Sequence, residues 1–155
     1  MARQVGADGL ALQRRMARPL LVVGDRLRMI RGRIGFHWIV ELKNMGQSAG
    51  EINSLRILVG GNAVVPAALE PTTDYWTRVM RSLDPPVGIL EVEGQVIRPP
   101  FAISPGEIVR LFDAKLQGDV ELLHAAMRTL AVDIEYTSPW RERYSVLHSL
   151  RTGDV

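Results

Sequence analysis

Along residues 34–43 apolar and polar positions alternate, with Ile34, Phe36, Trp38, Val40 and Leu42 on one face and Gly35, His37, Ile39, Glu41 and Lys43 on the other. A period of two turns one face of a strand to a core and the other to water, so Trp38 is expected inside and His37 outside. Asn44, Gly46, Gln47, Ser48 and Gly50 break the run with residues that tolerate positive φ or bond their own backbone. Leu55, Ile57 and Val59 then resume the alternation, which Gly60-Gly61-Asn62 ends.

The same reading extends along the chain. Leu20 to Val23 predicts a first strand that continues through Leu27, Met29 and Ile30 after a turn at Gly24-Asp25. Trp76, Val79, Met80 and Leu83 recur at helical spacing between Pro71 and Pro85, predicting a short helix over 72–83 capped by Thr72 or Thr73. Val87 to Val92 and Val96-Ile97 predict a hairpin about the tight turn Glu93-Gly94-Gln95. After Pro99-Pro100, the turn Ser104-Pro105-Gly106-Glu107 leads into a strand on which Ile108, Arg110 and Phe112 oppose Val109 and Leu111. Residues 119–128 predict a helix capped by Asp119, with Val120, Leu123 and Met127 on one face. Leu130, Val132, Ile134 and Tyr136 alternate with polar or small neighbours, and Tyr144, Val146, His148 and Leu150 predict a last strand after Ser138-Pro139. Seven to nine short strands at roughly 8–12-residue spacing predict a mainly β antiparallel sandwich or barrel with one or two short helices.

Charge divides the chain in two. Residues 1–33 hold eight arginines and two aspartates, a net of +6, whereas the remaining 122 residues hold 11 basic and 15 acidic side chains. Residues 1–18 are therefore expected to form a basic N-terminal arm and residues 19–155 the β-sandwich domain. Within the arm, Leu10 to Ala17 predicts a short helix with Leu10, Leu12 and Met16 on one side, ended by Arg18-Pro19. Without cysteine the chain has no disulfide framework and no thiolate metal site. The apolar stretch Pro19 to Val23 is too short for a membrane span or a signal-peptide core. A cytoplasmic chain, or one within a virus-like particle, is expected, with no signal peptide and no transmembrane segment.

No residue pattern points to catalysis, a cofactor or a metal. His37, His124 and His148 lack ligand spacing. Glu91 and Glu93 share a strand face that is expected to be solvated. Ser48 and Ser104 sit in turns without a nucleophile elbow, and no Gly-Lys-Ser/Thr follows Gly60-Gly61. Gly46 and Gly106 are expected to serve backbone freedom in their turns.

Three segments, WIVELKNMGQSA from Trp38, FAISPGE from Phe101 and VDIEYTSPWRERY from Val132, together resemble bacterial immunoglobulin-like β-sandwich domains of unknown function. In those an Asn-x-Gly-x-Ser-Ala strand end, a Pro-Gly-Glu turn and a Tyr-containing penultimate strand recur, and membrane anchors are often attached. The resemblance implies an immunoglobulin-like sandwich and carries no catalytic residue.

These features together predict a non-catalytic interaction module, a subunit of a larger assembly such as a phage or other capsid-like particle, held in part by its arm. Arg3, Arg14, Arg15 and Arg18 are the expected partner contacts, because arginine binds carboxylate or phosphate bidentately. Trp76 and Trp140, in polar and proline-flanked segments, are the expected anchors. The partner is expected to be another protein subunit, self or foreign. The alternatives are the soluble domain of a bacterial membrane-associated protein and a nucleic-acid-binding module acting through the arm.

Overall fold

A computed structural model of the chain describes residues 17–30 and 35–149. Its elements, in order, are β1 (Leu21–Met29), β2 (Phe36–Asn44), β3 (Gly50–Val59), β4 (Asn62–Ala63), α1 (Thr72–Arg81), β5 (Gly88–Gly94), β6 (Phe101–Ile103), β7 (Ile108–Gln117), α2 (Val120–Met127), β8 (Leu130–Thr137) and β9 (Arg143–Ser149). One antiparallel sheet has the order β1-β2-β7-β5 and the other β4-β3-β8-β9, with β6 also paired to β3. Since β8 takes one side of β3 from Glu51 to Val59, β6 and β4 share the other side at its two ends. The chain is mainly β, and its two sheets enclose one core in a sandwich-like arrangement.

Alternation builds that core. Trp38, Val40 and Leu42 are fully buried, as are Leu130, Val132 and Ile134 on β8. An aromatic row runs through the interior, Tyr75 against Trp76 (ring centroids 5.1 Å apart), Trp76 against Phe112 (4.9 Å) and Phe112 edge-on to Trp38 (4.9 Å). Such offset and edge contacts add to what burial alone contributes. On α1, Tyr75, Trp76, Val79 and Met80 form the buried face. α2 is capped as expected, the Asp119 carboxylate accepting from the backbone N–H of Glu121 at 2.9 Å.

Local details depart from the expected pattern for identifiable reasons. β1 runs without a turn at Gly24-Asp25, because both residues stay in register with Glu41 and Val40 of β2. The hairpin about Glu93-Gly94-Gln95 does not form. Instead β5 continues to Gly94 and pairs with β7, while the Trp76 indole lies against Gly94 and donates to the Gln95 carbonyl at 3.2 Å. α1 begins after Pro71 with no side-chain cap from Thr72 or Thr73. On α2, Val120 is exposed and Ala126 takes its place beside Leu123 and Met127.

Bulges shift the faces of three strands. Val40 pairs with Phe112 and Glu41 with Arg110, so Leu111 is an extra residue in β7. Leu111 and Phe112 therefore both face the core, where strict alternation would place Phe112 outside. Asn53 in β3 and Leu90 in β5 are extra in the same way. The tight β3–β4 turn has positive φ at both Gly60 (58°) and Gly61 (83°), the geometry of a two-residue type I′ hairpin.

Candidate functional site

One end of the sandwich gathers residues 17–20, the turn after β2, the turn before β7 and the β8–β9 hairpin tip. Asn44, wholly buried at the end of β2, ties the first three together. Its side-chain oxygen accepts from the Gly46 N–H (2.9 Å) and the Leu20 N–H (3.2 Å), and its amide donates to the carbonyls of Ser48 (2.8 Å) and Ile103 (2.9 Å). All four hydrogen-bonding positions of this side chain are used, which ties Leu20 and the turn after β2 to the body. The Arg18 carbonyl accepts from the Gln47 N–H at 3.1 Å, and the Tyr136 hydroxyl accepts from the Leu21 N–H at 3.3 Å.

The hairpin tip is equally well held. The Ser138 hydroxyl accepts from the N–H groups of Trp140 (3.2 Å) and Glu142 (3.1 Å), and the Arg141 backbone adopts positive φ. This loop presents Trp140 at 39% exposure beside exposed Arg141 and Arg143. Next to it Tyr144 stacks on Tyr136 with centroids 5.3 Å apart. Burial and the Glu142 carboxylate, which accepts from its hydroxyl at 2.8 Å, push the Tyr144 hydroxyl above its ordinary pKa; the positive charge of Arg18 pulls it back. The Leu21–Tyr136 bond and the pairing of Glu51 with Thr137 put residues 17–20 and the hairpin tip at the same end of the sandwich. Two of the expected contacts, Arg18 and Trp140, thus share one end of the molecule, together with exposed Leu20 (42%) and Met45 (59%).

The remaining expected contacts divide. Arg3, Arg14 and Arg15 lie outside the described residues. Trp76 is not a surface anchor: at 1% exposure it fills the interior between Tyr75 and Phe112. The polar residues around it in sequence lie on the opposite side of α1, which misdirects a reading by composition. Neither Asn44 as a buried clamp nor the exposed Leu20 and Met45 was anticipated; the alternation of β1 is the signal that places Leu20 outside.

Elsewhere the polar groups form ordinary surface networks. On the outer face of the β1-β2-β7-β5 sheet His37 contacts Asp113, which also pairs with Arg110 (3.3 Å), and Arg26 pairs with Glu41 (2.7 Å). Glu91 is exposed and pairs with Lys115 at 3.2 Å. Just before α1 the Glu70 carboxylate is held below its ordinary pKa by hydrogen bonds from Arg78, and burial pushes the Tyr75 hydroxyl on the helix up to about 12. Among the described residues there is no cluster of three or more His, Asp or Glu side chains able to hold a metal. Nor is any helix there long and apolar enough to cross a membrane. Neither a protein-family model nor a curated protein sequence matches the chain.

Proposed function

We propose that the chain is a non-catalytic, immunoglobulin-like interaction module that joins a larger protein assembly through the end carrying its basic arm. The observation that carries this reading is that residues 17–20, the turn after β2 and the β8–β9 hairpin tip lie at one end and leave Arg18, Leu20, Met45, Trp140, Arg141 and Arg143 exposed there. An exposed aromatic among arginines is the composition of interface anchors. The strand order supports the immunoglobulin-like part: β1-β2-β7-β5 against β4-β3-β8-β9 corresponds to the order A-B-E-D against C′-C-F-G. The chain differs from that plan in its two helices and in β6, a short strand between β5 and β7 that pairs with β3 of the other sheet.

The test is made on the full-length chain. Arg14→Glu with Arg15→Glu is expected to abolish assembly in size-exclusion chromatography while leaving the melting temperature of the body nearly unchanged. Assembly that survives this double reversal sinks the reading. The same cluster of arginines around Trp140 supports nucleic acid as a second reading. Salt separates the two, since phosphate contacts give a steep linear fall of log affinity with log salt.

A further inference from the structure

Between the two sheets, on the side where α1 packs against β5, the interior leaves a pocket of about 120 Å³. Ile57 of β3 and Leu111 of β7 line it from opposite sheets, and Tyr75 and Trp76 line it from α1. Two irregular segments, residues 64–66 and 95–97, supply its side walls, and Val65, 68% exposed, marks its opening. Protein interiors are close-packed, so a space of this kind persists only where its walls are kept from falling inward. Here both walls are tied back. The Tyr75 hydroxyl donates to the Val64 carbonyl at 2.7 Å, the Arg78 guanidinium to the Val65 carbonyl at 2.7 Å and the Val64 N–H to the Ile57 carbonyl at 2.8 Å. On the facing wall the Trp76 indole N–H donates to the Gln95 carbonyl at 3.2 Å, and the Gln95 N–H to the Leu111 carbonyl at 3.0 Å. The Gln95 side-chain amide is drawn off to the Arg110 carbonyl at 2.6 Å.

We infer that this pocket is a binding site for a small uncharged apolar molecule, about the size of a single six-membered ring. The bonds that brace the walls also decide the class of ligand. The donors that Tyr75, Trp76 and Gln95 bring to the pocket are engaged by backbone carbonyls, and Arg56 is paired with Asp133. Every other lining side chain is apolar. A charged guest would lose its hydration there and find no free donor in exchange. Water is a poor occupant for the same reason, since it needs about two to four polar partners. Cavities of roughly 150 Å³ with apolar walls take benzene, which sets the scale of what this one holds. Because the walls are braced before any ligand arrives, binding is not charged with the cost of ordering them.

Toluene titrated into the full-length chain tests it, followed by the methyl and indole resonances of the protein. Saturable shifts at millimolar toluene or below are expected for Ile57, Ile97, Leu111 and the Trp76 indole. Magnetisation is expected to pass from toluene protons to Ile57 and Leu111, which stand on opposite sheets. Benzoate, similar in size but charged, is expected to bind about tenfold or more weakly. Val64→Phe puts a ring into the pocket and is expected to weaken toluene by about tenfold or more, with the melting temperature unchanged or higher. Should that variant not fold, Val96→Phe fills the pocket from the facing wall. Shifts that do not saturate, or magnetisation passing only to residues outside the pocket, overturn the site. Binding that the filled variant leaves intact does the same, and benzoate as tight as toluene overturns the uncharged class. If Ile57 and Leu111 shift with protein concentration alone, the occupant is a side chain of a second copy and the small-molecule assignment falls.

Discussion

Asp25 sits on the inward row of β1, between Val23 and Leu27 and opposite Val40 of β2. Its carboxylate accepts from the Trp38 indole N–H at 3.4 Å. Burial raises its pKa above the ordinary 3.8, more than the indole and the charge of His148 lower it. A carboxyl whose folded pKa is raised adds stability that is fully present below its unfolded pKa and is lost as pH rises through the folded value. At pH 7 the ionised Asp25 therefore weakens the fold. Asp25→Asn keeps the size and the acceptor and is expected to melt higher than the wild type at pH 7. The difference should close as pH falls below 3.8, the ordinary carboxyl value. A variant that melts lower at pH 7 would mean that attraction to His148 outweighs burial. The inward position of Asp25 was hidden by the expectation of a turn there, whereas Trp38, in an unbroken alternation, was legible from its neighbours alone.

Turns show what a pattern of residue types can and cannot specify. Gly46 and Gly106 were both expected to serve backbone freedom, and Gly106 does, with φ of 79°. Gly46 serves a different need: a Cβ there would overlap the backbone of Arg18, Pro19 and Leu20, which crosses directly over it. Gly106→Ala is expected to cost about 1 kcal/mol for the strained φ. Gly46→Ala should cost about 2 kcal/mol or more, since backbone held by Asn44 cannot move aside. Urea midpoints of the two variants check the order, and a reversed order would detach residues 18–20 from this turn. Close approach of a distant segment leaves no local mark in sequence. Bulges are hidden for a related reason: the extra residue at Leu111 inverts the face of everything after it on β7, and only the register with β2 reveals it.

The mainly β class was legible because short alternating runs recur between proline and glycine breaks, and β8 follows its predicted bounds of residues 130–137. Which strands pair was not, because partners far apart in sequence share no local signal. The two central ladders illustrate this distance: Trp38 lies opposite Ala114 and Leu55 opposite Ile134. That separation has a consequence in time. Each of these two ladders closes only after a loop of more than sixty residues has been drawn together, and the entropy of that closure is lost before the ladder begins to compensate. β8 and β9, joined by residues 138–142, meet early, and the search for β3 and β7 sets the pace. Refolding by stopped-flow tryptophan fluorescence is expected to take on the order of milliseconds to seconds, the burial of Trp38 reporting the moment at which β2 finds β7. A submillisecond main phase would mean that the ladders form from local contacts first. During that interval the inner faces of the early hairpins stand in water, and the chain is at its most adhesive before it is folded.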